Sequence, residues 1–185
     1  MNSAFAALRL RLLAFLLDYI WIAGYIGVLI VASISLGFSP LRAAFLKLFA
    51  DPNSSEITAF LLLVLPVVLY FALFECSHWQ ATWGKQKMGL LVTTNYRKRP
   101  GLARSLFRSL LKFLPWELTH ACLWRIPGWP LAPKAAPSII VAGLILVWVI
   151  VGMYVMSLLI SKTHQTLYDL LAGTRVVKIQ SGRII

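Results

Sequence analysis

The chain has 185 residues, of which 59% are hydrophobic and only 13% are charged, whereas about a quarter of the residues in a soluble domain are charged. This balance excludes a water-soluble fold and favours a single integral membrane domain over residues 1–185. The net charge of +12 suits nucleic acid binding, but the basic residues lie between apolar runs, so we expect no nucleic acid partner.

The first predicted membrane span covers residues 12–36, from Leu12 to Leu36. At about 1.5 Å per residue, this run exceeds the roughly 30 Å thickness of the hydrocarbon layer. Arg9 and Arg11 precede it, as in a signal peptide, but the run is too long for one and Asp18 interrupts it. We therefore predict an uncleaved anchor.

Two further apolar runs predict spans over residues 57–77 and 138–161. The first carries Glu75 as its one charge, and Pro66 predicts a bend within it. Asn53 and Glu56 have the spacing of a capping box, which predicts the start of this helix. The second run has no charged residue at all, so it is the simplest span of the chain.

The segment over residues 104–125 allows two interpretations. It is long enough to cross the membrane, but it is rich in charge and contains Pro115. Arg104, Arg108 and Lys112 recur every four residues and so share one helix face. The segment is either a polar spanning helix or a kinked helix at the membrane interface, and periodicity alone does not separate these readings.

Two short β-like stretches bear on this choice. Residues 90–94 and 174–179 each begin just after a glycine and are followed by turn-forming residues. If they pair, they lie on one side of the membrane, and the chain between them crosses an even number of times. We therefore expect an all-α integral membrane protein, a bundle of four transmembrane helices with a small cytoplasmic β-ribbon, or of three if 104–125 is interfacial.

The distribution of basic residues predicts the orientation. Most of the 18 Lys and Arg residues lie on the same side as the N-terminus in either the three-span or the four-span arrangement. Because cytoplasmic loops are enriched in Lys and Arg, we expect a cytoplasmic N-terminus.

Three sequences together resemble the RDD family of small bacterial membrane proteins. They are residues 11–18 (RLLAFLLD), 82–89 (TWGKQKMG) and 164–174 (HQTLYDLLAGT). The family is named for one arginine and two aspartates, which correspond here to Arg11, Asp18 and Asp169. Trp83 departs from the pattern, since a proline or similar residue is common there, and the stretch from Arg125 to Ser138 is unusually rich in proline. The resemblance implies a multi-pass protein of the bacterial cytoplasmic (inner) membrane with a role in transport, and it implies no reaction.

Asp18 lies roughly 9 Å inside the predicted hydrocarbon layer, where an ionised carboxylate costs about 3 kcal/mol. It should therefore face protein or water. Arg11 lies nearly two helical turns away and cannot reach it along a straight helix. If 104–125 spans, Arg108 or Lys112 comes to a similar depth, and we expect one of them to pair with Asp18.

Two other carboxylates complete a predicted charged layer. Glu75 should join it at the cytoplasmic side and meet Lys85 or Lys87, which leaves Asp169 as the partner of Arg11. The residues of this predicted layer are Arg11, Asp18, Glu75, Arg108, Lys112 and Asp169.

The charged layer has two functional interpretations. It is either a polar pathway, in which carboxylates exchange protons or cations and a small ion or polar solute moves or binds, or a polar staple that fixes helix order in a non-transporting scaffold or assembly partner. Small residues such as Gly24 and Gly27 allow close helix approach, as a homo-oligomer or a complex with other membrane proteins requires. A sealed core favours the staple, and a hydrated cavity reaching Asp18 favours transport.

Other motifs predict no cofactor, metal or catalytic residue. The repeated Glu-x-x-His spacing at Glu75 and Glu117 resembles that of di-iron bundles, but two further glutamates are missing and the two copies are about 20 Å apart along the predicted spans. Residues 84–89 have the glycine gap of a phosphate loop without the following Lys-Ser or Lys-Thr. Nothing assembles a nucleophile, a base and an orienting acid, so we expect no enzyme.

Basic residues that leave the bilayer should contact lipid. We expect anionic headgroups to bind the predicted cytoplasmic surface. The residues assigned to this contact are Lys85, Lys87, Arg97, Lys98 and Arg99.

Overall fold

The computed structural model describes residues 8–179 and is mostly helical. Its helices are α1 (Leu8–Gly37), α2 (Arg42–Lys47), α3 (Pro52–Ala59), a π-helical turn (Phe60–Val64), α4 (Leu65–Cys76), α5 (Trp83–Lys87), α6 (Leu102–Leu123), α7 (Ser138–Ile160) and α8 (Leu167–Leu171). Two strands, β1 (Leu90–Thr94) and β2 (Thr174–Lys178), complete the fold.

Three helices within residues 8–179 are long and apolar enough to cross a membrane: Leu8–Gly37, Pro52–Cys76 and Ser138–Ile160. Most of their apolar side chains are exposed. In the most apolar stretch of each helix, only 6%, 28% and 11% of the residues, respectively, are buried. In water such surfaces would be unfavourable, whereas lipid tails match them. α6 is of similar length but is too rich in charge to join this group, so the predicted count of four spans stays a prediction.

The second long helix begins at a different cap from the one predicted. Asp51 is the N-cap, and its carboxylate accepts hydrogen bonds from the backbone N–H groups of Asn53 and Ser54 at 3.0 and 3.2 Å. Pro52 occupies the first turn, where a missing N–H costs nothing. The predicted capping box of Asn53 and Glu56 is therefore wrong, because Asp51 already satisfies the first free donors.

Pro66 and Pro115 lie inside long helices and cannot donate a backbone hydrogen bond to the carbonyl group four residues earlier. In each case a tyrosine hydroxyl donates to that carbonyl group instead. Pro66 follows the π-helical turn, and the carbonyl four residues before it, that of Leu62, accepts a hydrogen bond from the hydroxyl of Tyr25. Leu111, four residues before Pro115, accepts one from the hydroxyl of Tyr154 at 2.6 Å. A neighbouring helix thus restores each hydrogen bond that the proline removes.

The chain forms two compact units. Within the described residues, unit 1 contains residues 8–21, Val68–Lys112 and 152–179, and unit 2 contains Ile22–Val67 and Phe113–Val151. Each of the four long helices contributes one part to each unit.

Unit 1 contains the two-stranded antiparallel ribbon, with the register Leu90 to Lys178 and Thr94 to Thr174. Leu90 and Val92 of β1 and Val176 of β2 pack with Ala14 of α1 in a buried apolar cluster. The predicted pairing of residues 90–94 with 174–179 is confirmed, one residue shorter in β2.

Two polar side-chain contacts lie near the loops of unit 2. Arg125 forms an ion pair with Glu56 at 2.5 Å. The hydroxyl of Thr58 donates to the carbonyl oxygen of Leu48 at 3.0 Å.

Candidate functional site: a buried charged layer

The carboxylate of Asp18 accepts three hydrogen bonds from neutral groups. The Tyr70 hydroxyl donates at 3.1 Å, the Thr82 hydroxyl at 2.6 Å and the backbone N–H of Gly84 at 2.7 Å. Gly84 lies in the first turn of α5, where N–H groups have no intrahelical acceptor. Asp18 of α1 therefore caps α5 from another helix, and it is fully buried.

Gly84 is required by this contact. An added Cβ would lie 2.1 Å from the carbonyl oxygen of Ala14 and 2.9 Å from the carboxylate carbon of Asp18. Only a residue without a side chain allows the N–H to approach α1 so closely.

Glu75, at the end of α4, is fully buried between two cations. One carboxylate oxygen accepts from the ammonium group of Lys85, and the other accepts from the guanidinium of Arg108 at 2.6 Å. Burial lowers the pKa of Lys85, and the adjacent carboxylate of Glu75 opposes that shift. Breaking a buried pair of this kind costs about 3–5 kcal/mol, because one charge is left without compensation.

Asp169 accepts hydrogen bonds from three parts of unit 1. The Nε of Arg108 donates at 2.8 Å and the guanidinium of Arg11 at 3.4 Å. The Thr166 hydroxyl and backbone N–H also donate, at 2.9 and 3.4 Å, so Asp169 completes a capping box at the start of α8. A single carboxylate thus joins α1, α6 and α8.

Arg108 connects the two carboxylates into one alternating chain of charges. The order is Lys85, Glu75, Arg108, Asp169 and Arg11, with each cation next to an anion. The Arg108 side chain is 2% exposed and the two carboxylates are fully buried. Because each buried charge has an opposite neighbour, the attraction between them offsets part of the cost of removing them from water.

Aromatic faces line the basic side chains of this layer. The ammonium nitrogen of Lys112 lies 3.5 Å from the ring centre of Phe71, and that of Lys85 lies 5.3 Å from the same ring. The Arg108 guanidinium lies 5.2 Å from the ring centre of Tyr168. These distances suit cation–π attraction, which is strongest where water is excluded. Burial raises the pKa of Tyr168, which keeps its hydroxyl neutral.

The layer also holds polar atoms without a partner in the described part of the chain. They are the Nε of Arg11 and the hydroxyl oxygens of Ser105 and Ser109. Both serines are fully buried and lie one turn apart on α6, and Ser105 shares a helix face with Arg108. Buried polar groups are normally hydrogen-bonded, so these atoms are candidates to bind a water molecule or a small polar ligand.

All six residues of the predicted layer belong to unit 1. The predicted contacts of Arg11 with Asp169 and of Glu75 with Lys85 are present. Asp18 was predicted to pair with Arg108 or Lys112, and the Arg108 alternative is wrong, because its guanidinium is engaged by Glu75 and Asp169.

The residues predicted to contact lipid divide into two groups. Lys85 is 7% exposed and faces Glu75, so it does not lie on the surface as predicted. The remaining members, Lys87, Arg97, Lys98 and Arg99, are exposed.

Several residues of the layer were not predicted from the sequence. Tyr70 and Thr82 bind Asp18, and Tyr168 packs on Arg108. Thr82 is the N-cap residue of α5, and a threonine before a short helix could have indicated this cap from the sequence. Ser105 lies one turn before Arg108, so the face of α6 that carries arginine also carries hydroxyl groups.

The two Glu-x-x-His sequences belong to different compact units. Glu75 belongs to unit 1 and Glu117 to unit 2. Among residues 8–179, no group of three or more His, Cys, Asp or Glu side chains could hold a metal ion.

A mostly helical chain with apolar candidate spans and a buried Arg–Asp layer defines the class of small multi-helix membrane-type proteins. The sequence model of the RDD family matches residues 5–173, which is nearly the whole chain. The protein belongs to the RDD family. Comparison with curated proteins and with solved structures gives no significant match.

Proposed function

We propose that the protein crosses the membrane four times, with α6 as the third span. α6 has 22 residues, which at about 1.5 Å per residue is long enough to cross the roughly 30 Å hydrocarbon layer. The β1–β2 pairing supports the same count, because it requires an even number of crossings between the strands.

The proposed orientation places unit 1 toward the cytoplasm of a bacterial cell. Of the described Lys and Arg residues, unit 2 contains only Arg42, Lys47, Arg125 and Lys134. All the others fall in unit 1, and the enrichment of basic residues on the cytoplasmic side supports a cytoplasmic N-terminus.

Within this arrangement, the charged layer binds and moves a small ion or polar solute. The observation that carries this proposal is the unused polar capacity of Arg11, Ser105 and Ser109 beside the buried chain of charges. A purely structural staple has no need of hydroxyl groups without partners, since each costs desolvation. Ionisable residues inside a membrane most often mark an ion or substrate pathway.

A second function is supported by a different observation. Every carboxylate oxygen of Asp18, Glu75 and Asp169 already accepts at least one hydrogen bond. A saturated layer of this kind suits a staple in a non-transporting scaffold for other membrane proteins. Transport requires the hydroxyl groups of Ser105 and Ser109, whereas a structural staple does not.

The experiment therefore changes the serines and leaves the ion pairs intact. The double variant Ser105→Ala and Ser109→Ala is reconstituted in proteoliposomes beside the parent. A pH-sensitive dye inside the vesicles reports proton movement after addition of sodium, potassium or chloride salts. If the layer transports, the parent shows flux for at least one salt, and the double variant loses at least about tenfold in rate while its unfolding midpoint does not fall.

The matched control is Ser33→Ala with Ser35→Ala, which removes two exposed hydroxyl groups from α1. It should retain the parental flux. A parent without flux for any of these salts refutes proton-coupled transport of these ions and favours the scaffold. Equal flux in the parent and the Ser105/Ser109 variant refutes the proposed role of the serines.

A further inference from the structure

The exposed charge of unit 1 has one sign. Its three acidic residues, Asp18, Glu75 and Asp169, are each fully buried in the charged layer. The exposed Lys and Arg side chains of its described part are Arg9, Lys87, Arg97, Lys98, Arg99, Arg104, Lys162 and Lys178. No exposed carboxylate within residues 8–21, 68–112 and 152–179 neutralises this surface, so it attracts anions.

The densest part of this surface is the turn between β1 and α6. The Arg97 N–H donates to the carbonyl of Thr94 at 2.9 Å, and the Thr94 N–H donates to the carbonyl of Lys98 at 2.8 Å. The Thr94 hydroxyl accepts from the Lys98 N–H at 3.1 Å. These bonds close the turn and bring Arg97, with φ of 60°, beside Lys98 and Arg99.

Asn95 of this turn is also hydrogen-bonded to residues in and just before β2. The Asn95 N–H donates to the carbonyl of Gly173 at 3.1 Å, and the guanidinium of Arg175 donates to the carbonyl of Asn95 at 2.7 Å. Gln165 donates to the side-chain oxygen of Asn95 at 3.2 Å. A turn fixed in this way loses little conformational entropy when it binds a ligand.

Tyr96 lies within this basic turn and is 85% exposed. An amphipathic ring with a polar hydroxyl is the type of side chain that is enriched at the level of lipid headgroups. One exposed tyrosine with three adjacent cations is a combination that suits a membrane surface, where anionic headgroups lie above apolar acyl chains.

We propose that the turn over residues 95–99 is a binding site for anionic phospholipid headgroups, in which Arg97, Lys98 and Arg99 hold the phosphate and Tyr96 inserts beside the acyl chains. This proposal rests on the proposed membrane insertion of the helices, but not on transport. Guanidinium and ammonium groups bind phosphate by charge-assisted hydrogen bonds. A single tyrosine offers no series of rings on which successive bases could stack, which favours lipid over single-stranded nucleic acid.

The test measures lipid binding to the full chain in mild detergent by native mass spectrometry. Phosphatidylglycerol is titrated against phosphatidylcholine with the same acyl chains. The parent should bind the first phosphatidylglycerol at least about tenfold more tightly. The triple variant Arg97→Gln, Lys98→Gln and Arg99→Gln should lose that preference, and Tyr96→Ala should weaken binding of both lipids.

The matched control removes three exposed cations from unit 2, with Arg42→Gln, Lys47→Gln and Lys134→Gln. It should keep the parental preference. Equal loss in the two triple variants would refute a specific site, since general charge would then explain binding. Inorganic phosphate or a short RNA that binds more tightly than phosphatidylglycerol would also refute the lipid assignment.

Failure of the underlying proposal has a separate signature. A protein that alkaline carbonate extracts from membranes does not span them, and both proposals then fall. A protein that resists extraction and shows no preference for phosphatidylglycerol contradicts the lipid site alone.

Discussion

Substitution of Gly84 by alanine tests the contact between α5 and α1. The new Cβ would lie 2.1 Å from the carbonyl oxygen of Ala14, so α5 must move away from α1. That movement lengthens the 2.7 Å hydrogen bond from the Gly84 N–H to the Asp18 carboxylate. The variant therefore combines steric overlap with loss of a hydrogen bond to a buried charge.

The expected cost follows from these two contributions. Forcing an extra methyl group into a packed interior costs about 1–3 kcal/mol, and losing a hydrogen bond to a charged group costs about 1.5–3 kcal/mol. Relaxation of α5 reduces their sum, while the higher helix propensity of alanine returns up to about 1 kcal/mol. We expect a net loss of about 3 kcal/mol in the free energy of unfolding.

Gly101→Ala is the matched control, because a Cβ there meets nothing within 4 Å. The two variants are compared with the parent by titration with SDS in mixed micelles, followed by circular dichroism. Gly101→Ala should stay within about 0.5 kcal/mol of the parent. If Gly84→Ala unfolds at the same SDS fraction as Gly101→Ala, the close approach of α5 to Asp18 is refuted.

Three other substitutions test the carbonyl group freed by Pro115, the charged layer and the Asp51 cap by the same unfolding assay. Tyr154→Phe should cost about 1–3 kcal/mol and less in a Pro115→Ala background, because alanine restores an N–H donor to the freed carbonyl; additive effects would contradict this. Arg108→Leu should cost about 3–5 kcal/mol, and adding Glu75→Gln should recover part of the loss, whereas a further decrease would argue against their ion pair. Asp51→Ala should cost about 1 kcal/mol, with Asp51→Asn nearly neutral, and equal losses would show that capping is not the cause.

The long helices were the most predictable part of the fold. The predicted spans 12–36, 57–77 and 138–161 lie close to the helices Leu8–Gly37, Pro52–Cys76 and Ser138–Ile160, because apolar runs of this length have few alternatives to a helix. The ribbon was predictable too, since β-branched residues follow a glycine in both strands.

The pairing within the charged layer was only partly predictable. The pair of Asp18 and Arg108 was predicted because both residues lie at a similar depth along straight helices. Depth does not determine which neighbouring element a side chain faces. Asp18 is instead satisfied by Thr82 and Gly84, which lie outside the predicted spans. A short helix that turns its free N–H groups toward a carboxylate leaves little trace in hydrophobic periodicity.

The position of Asp169 late in the chain has a consequence for biosynthesis. This carboxylate follows Arg11 by 158 residues and Arg108 by 61 residues. At about 5–20 residues per second, Arg11 waits roughly 10–30 s after its own synthesis before its partner leaves the ribosome. Before Asp169 is made, Arg11 lacks its carboxylate partner and Arg108 has only Glu75 of its two, so a chain truncated before Asp169 should unfold more easily than the full chain.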